Sequence, residues 1–178
     1  MTVYIILFRG VGGATQLPTA PLRAALTEAG FENVATYINS GNAVVKSRLG
    51  REKAVKTIAG ICREKFGFDK AIYAPTLAEW RELIANNPFP NNTEPGNLMH
   101  AALLDGSPKA ENISALKALA AEGDRFEVVG NVAYLHTPRG FSNSKLSERF
   151  DKGIGVPNTA RNWNTVLKLE ALATKAAD

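Results

Sequence analysis

Val34-Ala35-Thr36-Tyr37-Ile38, Asn39-Ser40-Gly41 and Asn42-Ala43-Val44-Val45-Lys46 decide the fold of this chain. Two β-branched runs flank three turn-forming residues, which is the pattern of a β-hairpin. Working outward, Pro18–Glu28 lies before the hairpin, with Leu22, Ala25, Leu26 and Ala29 at helical spacing and Gly30 as a stop. Val3–Phe8 before that reads as a buried strand ending at Gly10-Val11-Gly12-Gly13. On the other side, Arg51–Phe66 carries Val55, Ile58, Ala59, Cys62 and Phe66 on one stripe of an amphipathic helix. A short strand, Ala71–Ala74, closes at Pro75. The order is βαββαβ, the ferredoxin-like signature.

Leu77–Ala85 reads as a further helix. Asn86 to Gly96 then holds three prolines and four asparagines and reads as a linker. Beyond it the pattern returns. Leu98–Leu104 is a predicted strand, Lys109–Ala121 a helix, and Arg125–Val129 with Val132–His136 a hairpin turned at Gly130-Asn131. The letters echo as well: Leu22…Gly30 matches Leu116…Gly123, and Gly41-Asn42 matches Gly130-Asn131. Helices over Ser142–Phe150 and Ala160–Ala173 follow, the second standing where a strand would complete the repeat. The expected fold class is α+β, with two ferredoxin-like (βαββ-containing) repeats, antiparallel sheets and a helical C-terminal tail. The first repeat spans 1–85, the linker 86–96, and the second repeat with its C-terminal helices 97–178, the whole able to form one compact unit.

Composition sets the class. The 178 residues are 45% hydrophobic and 21% charged, which suits a globular chain and excludes a disordered one. The lone Cys62 excludes a disulfide framework and a cysteine-rich zinc site. The longest early apolar run, Val3–Phe8, falls far short of the about 20 residues of a membrane span. A cytoplasmic protein with no membrane partner is expected. The net charge of +4 is unevenly spread. Residues 46–70 carry +5 and 136–168 carry +4, on a body that sums to −5. Two basic segments can attract a phosphate-bearing partner, although a solvated helix face and a solubility-favouring charge account for them better, because +4 is modest for a dedicated nucleic-acid binder.

Several pieces resemble the bacterial family known as domain of unknown function sixteen-ninety-seven. They are Tyr4–Gly10, Val11-Gly12-Gly13, Leu22–Leu26, Gly30–Val34, Thr36–Asn42 and Thr159–Leu169. The resemblance implies a duplicated, ferredoxin-related α+β fold in a cytosolic protein, and no established reaction. One departure stands out: the family's first loop usually reads Arg-Gly-Ile-Asn-Val-Gly-Gly and then a polar stretch that contains a basic residue. Here Arg9-Gly10 runs straight to Val11-Gly12-Gly13, two residues shorter and without that base.

Two constellations carry candidate chemistry. In a βαββ unit the loop after the first strand and the hairpin turn share one sheet end. Arg9, Gly12, Gly13, Asn39, Ser40 and Asn42 are therefore expected to converge as a carboxylate or phosphate cradle. A dinucleotide fingerprint is excluded, because Thr15 stands where its third glycine is required. Asparagine and glycine are also what tight hairpins demand. The second constellation is Arg161-Asn162-Trp163-Asn164-Thr165, joined as a candidate ligand-binding residue by Lys145 of the same basic segment, 136–168. Trp163 is either a core anchor or a platform that stacks a ring while the amides read its edge. Asn158 or Thr159 is the expected cap of the helix that contains it.

Ser142-Asn143-Ser144-Lys145 fits Ser-x-x-Lys, but the Lys-Thr-Gly of acylating serine enzymes is missing and Ser142 reads better as a helix N-cap. His100 and His136 have no acidic neighbours at ligand spacing, so no metal site is expected. No catalytic residue and no cofactor are implied. Three readings remain: a small binding module for a phosphorylated or nucleotide-like ligand or a single-stranded nucleic acid; an enzyme of unrecognised reaction type; and a structural or self-associating protein. Nothing in the letters indicates a homo-oligomer. The lack of a base–nucleophile pair weighs against the enzyme.

Overall fold

A computed structural model describes residues 1–39 and 41–178. The strands are β1 (Thr2–Phe8), β2 (Glu32–Thr36), β3 (Asn42–Ser47), β4 (Ile72–Tyr73), β5 (Met99–Leu104), β6 (Arg125–Val129), β7 (Val132–His136) and β8 (Asn158–Asn162). The α-helices are α1 (Thr19–Glu28), α2 (Arg51–Phe66), α3 (Leu77–Ala85), α4 (Ala110–Ala118), α5 (Lys145–Gly153) and α6 (Trp163–Ala177). The fold is α+β. Two antiparallel four-stranded sheets have the orders β2-β3-β1-β4 and β6-β7-β5-β8, and a helix ends the chain.

The described residues form two compact units, 1–82 with 168–178, and 83–167. In the first, β1 is buried along almost its whole length and pairs with β3 from Thr2↔Ser47 to Leu7↔Asn42. Tyr4, Ile6 and Phe8 join Ala43 and Val45 of β3 in one cluster with Leu22 and Leu26 of α1 and Ala54, Ile58 and Cys62 of α2. The alternation of a strand and the 3.6-residue period of the helices select these positions. Cys62 lies within this core, and burial pushes its thiol up to about 11. The second unit has a similar core, with Ala102, Leu104, Ala133 and Leu135 packed against Leu116 of α4, Leu146 and Phe150 of α5, and Ile154 just past the end of α5.

Four expectations need correction. Residues 158–162 are a strand rather than the start of a helix, because all five pair with β5, from Leu104↔Asn158 to His100↔Asn162. The helix cap is accordingly Asn162, whose side-chain oxygen accepts from the Thr165 N–H at 3.0 Å, and not Asn158 or Thr159. Helix α5 starts at Lys145 with Ser144 as its cap, accepting from the Ser147 N–H, while Phe141–Asn143 form a 3₁₀ turn that excludes Ser142 from that role. Finally, residues 168–178 belong with the first unit, not the second half. There Asn33 Nδ2 and Lys46 Nζ donate to the carbonyls of Ala176 and Ala177, and Arg81 pairs with Glu170 at 3.1 Å.

Candidate functional site

The end of β1 is held from both sides. Phe8 N–H donates to Gly41 O at 2.9 Å, and Arg9 N–H donates to Ala71 O at 3.0 Å. The first bond ties the strand to the hairpin turn, the second to the residue before β4. Gly41 has φ +78, and a Cβ there would meet Phe8 O and Val11 Cγ2 at 2.8 Å. Only glycine lets the turn approach this closely. The first loop and the β2–β3 turn therefore share one end of the sheet.

The individual residues divide. Arg9 is half-buried; Gly12, Gly13 and Asn39 are exposed. Asn42 is buried, its Nδ2 donating to Tyr37 O at 3.3 Å, so it closes the hairpin and does not face a ligand. The Gly12 N–H donates to Thr15 O at 2.7 Å, and the Thr15 N–H returns to Gly12 O at 3.0 Å. That amide is committed to the loop and cannot also grip an anion. Ser40 lies outside the described residues.

Lys70 supplies what sequence reading missed. Its Nζ lies 3.3 Å from Gly10 O, beside the glycine loop. A base lacking within the loop is thus present beside it, delivered by the residue two before β4. The signal was available: in the order β2-β3-β1-β4 the lead into β4 lies alongside the exit of β1, so Asp69-Lys70 had to pass this loop. Arg9 opens the exposed loop and Lys70 lies against its first glycine, so that two cationic residues adjoin backbone that lacks side chains at Gly10, Gly12 and Gly13. Such an arrangement can attract an oxyanion and offer it charge-assisted hydrogen bonds.

The second constellation is dispersed by its own packing. Trp163 is buried at 3% exposure, which removes the stacking platform and leaves the core anchor. Asn162 caps α6. Arg161 Nη1 donates to Thr159 Oγ1 at 2.7 Å and to Ala160 O at 2.8 Å, and burial lowers its guanidinium to about 10. Asn164 is exposed and lies against Gly96, where a Cβ would collide with its amide. Lys145 is exposed on the first turn of α5.

The basic segments are also partly spent. Arg51 pairs with Glu79, Arg63 with Asp69, and Lys65 with Glu28, at 2.6, 3.1 and 3.0 Å. Residues 46–70 fall in the first unit and 136–167 in the second. Two histidines stand out in the second unit. His100 stacks on Phe141 with ring centroids 3.9 Å apart, and burial lowers it to about 4. His136 is lowered by burial first and then by Arg125, with Asp124 opposing. The Nδ1 atoms of both are buried without a hydrogen-bond partner. Among the described residues no group of three or more His, Cys, Asp or Glu could hold a metal ion, and no helix is long and apolar enough to cross a membrane.

No curated protein matches the chain. Among solved structures, a conserved bacterial protein from Streptococcus pneumoniae, SP0830, is similar at a TM-score of 0.74 and 22% identity. The alignment covers 97% of this chain and 98% of that one, so the likeness establishes the fold over both units. A family model matches residues 1–134, three quarters of the chain, with both Arg9 and Lys70 inside the match: the protein belongs to the family described as Protein of unknown function (DUF1697).

Proposed function

We propose that the chain is a small binding module that takes a phosphate-bearing small molecule at the Arg9–Gly13 loop. The observation that carries this reading is Lys70 Nζ lying 3.3 Å from Gly10 O, which sets a cation against the exposed glycine backbone that follows Arg9. A carbonyl oxygen is a weak partner for an ammonium, and a phosphate oxygen is a stronger one. A free nucleotide-sized ligand suits this loop better than a single strand, because Trp163 is buried and several cations of residues 46–70 already have acidic partners.

The same reading takes the chain as a duplicated ferredoxin-like unit in which one copy keeps the anion loop. Support comes from the shared strand order and from matched bonds at the two sheet ends. Phe8 to Gly41 and Arg9 to Ala71 in the first unit correspond to Leu104 to Asn131 and Asp105 to Pro157 in the second. Titration of the ¹⁵N-labelled protein with inorganic phosphate and with a nucleoside monophosphate tests it. Saturable shifts at the amides of Arg9 to Ala14, lost in Lys70→Ala, are expected. No saturable shift there at millimolar ligand rejects the module.

A further inference from the structure

Each sheet has two outer strands, and three of these four edges are closed. β2 carries a register break between Glu32 and Ala35, with Asn33 at φ +49. β4 is two residues long and runs into Ala74-Pro75. In β8 the bond from Asp105 N–H to Pro157 O fixes the alternation, so that Thr159 and Arg161 turn their backbone groups towards β5 and Ala160 turns its own outward. Arg161 Nη1 donates to that outward Ala160 carbonyl at 2.8 Å, so the middle of the edge is occupied by the strand's own guanidinium. Bulges, short strands and charged side chains are the usual protections of an edge.

β6 carries charged side chains too, but it has no bulge and, among the described residues, its outward backbone groups are not occupied. It pairs with β7 without a break from Arg125↔His136 to Val129↔Val132. Leu104 N–H donates to Asn131 O, so the alternate residues Val132, Tyr134 and His136 turn towards β6. Arg125, Glu127 and Val129 answer them, and the N–H and C=O groups of Phe126 and Val128 point outward. Among the described residues no hydrogen bond reaches these outward groups.

We infer that this edge is where two copies of the chain associate, β6 running antiparallel to β6 with Arg125 of each copy opposite Glu127 of the other. Charge selects that register. A second strand must use the outward groups of Phe126 and Val128, which leaves three symmetric alignments. Setting Phe126 against Val128 places Glu127 opposite Glu127, a like-charge pair. Setting Val128 against Val128 places Glu127 opposite Val129 and leaves both charges unmatched. Setting Phe126 against Phe126 gives two Arg125–Glu127 pairs, at non-hydrogen-bonded positions where facing Cα atoms come within about 4.5 Å. Lys117 Nζ already donates to the Glu127 carboxylate at 3.0 Å, and a carboxylate has acceptor sites for a guanidinium as well. Arg125 is exposed and available to make the pair. Joining the edges extends the second sheet from four strands to eight.

Sedimentation velocity on the full chain, from micromolar to near-millimolar concentration, tests the pairing. The wild-type chain is expected to pass from monomer to dimer. Arg125→Glu and Glu127→Arg are each expected to remain monomeric, because each faces like charges across the two-fold axis. Their equimolar mixture is expected to dimerise, because every facing pair is then opposite in sign. A wild-type chain that stays monomeric, with the edge left for another protein's strand, overturns the inference. So does a dimer that persists in both single variants, or a mixture of folded variants that stays monomeric. Should either charge variant lose its circular dichroism signal, Val128→Pro decides instead. It removes an outward N–H and leaves the β7 ladder whole, so a dimer that survives it overturns the pairing.

Discussion

Arg9 and Asp105 occupy the same place in two sheets of the same strand order. Each follows the first strand of its sheet and donates its N–H to the residue that leads into the last one, Ala71 O at 3.0 Å and Pro157 O at 2.8 Å. A glycine of positive φ comes next in both, Gly10 at +71 and Gly106 at +125. Against Gly10 lies Lys70; against Gly106 lies the corresponding Val156. The strand order, the bond and the glycine recur at the two sheet ends, and the side chains beside them differ. One sheet end pairs two cations with an exposed loop, while the other replaces them with a carboxylate and an apolar side chain. On the proposed reading, backbone shape alone therefore does not make an anion site; the side chains that the shape brings together do.

The largest expected effect breaks the comparison at the turns. Gly41 and Asn131 both accept from the end of the first strand, yet Gly41 has no room for a Cβ, whereas Asn131 is exposed and already carries a side chain. Gly41→Ala forces a residue to φ +78 and drives its methyl group into the Phe8 carbonyl, which should cost about 3 kcal/mol. Asn131→Ala should change stability by less than about 0.5 kcal/mol. Urea unfolding of both variants measures the gap, and equal effects would show that the two turns are not built differently.

Acid should separate the units next. Both histidines of the chain, His100 and His136, lie in the second unit. Each is held below its ordinary value, His100 at about 4 by burial and His136 by burial and then Arg125. A histidine lowered on folding binds its proton more readily when unfolded. The stability it contributes is therefore complete above about pH 6.5 and is lost as pH falls towards about 4. A loss on the order of 2 kcal/mol in the second unit is expected. Amide exchange at pH 7 and pH 4.5 should show protection falling in β5 and β7 first. His100→Phe, which keeps a ring against Phe141, should flatten that dependence.

The loop proposed to bind the anion gives a smaller effect. Arg9→Asp with Lys70→Val gives the first loop the charges of the second. Losing charge-assisted hydrogen bonds should weaken phosphate binding at least about tenfold, with little change in stability. Asp105→Ala in the second unit should leave phosphate binding as it was. Equal losses from both changes would place the ligand elsewhere.

Much of this architecture was legible, and the failures have physical causes. The strand–helix–strand–strand–helix–strand order could be read because turn residues separate runs of unmixed period: Val3–Phe8 and Asn42–Lys46 have the strand pattern, and Arg51–Phe66 has the helical one. The second hairpin was visible too, but its letters misled. Gly41-Asn42 looks like Gly130-Asn131, whereas the bonds pair Gly41 with Asn131 and Leu7↔Asn42 with Leu103↔Val132. The glycine has moved by one position because the second turn spans two residues. Convergence of the first loop and hairpin could be derived from topology. Which groups there are available could not, since Asn42 and the Gly12 amide are engaged in local bonds that depend on side-chain packing and loop closure. Lys70 could be found only through topology, which sets the lead into β4 beside the exit of β1, because spacing along the chain does not link it to Gly10. Trp163 fitted two roles until its burial chose one.

The hardest boundary to read supplies the smallest predicted effect. Asn158-Thr159-Ala160-Arg161-Asn162 carries no strong strand signal, and strong helix formers follow it, so local preference extended the helix backwards. Pairing with β5 overrides that preference up to Asn162, and there the Asn162 side chain takes the Thr165 N–H at 3.0 Å and starts α6. The residue serves as the last of the strand and the cap of the helix together. Asn162→Ala keeps the backbone pairing and removes only the cap, which should cost about 1 kcal/mol and lower Tm by about 2–4 °C. Asn162→Asp and Asn162→Ser should lose much less, because either oxygen can accept the same N–H. Lys109 stands at the same position before α4 with no side-chain bond, so Lys109→Ala should change almost nothing. If Asn162→Ala melts with the wild-type chain, pairing with β5 alone fixes where the helix begins.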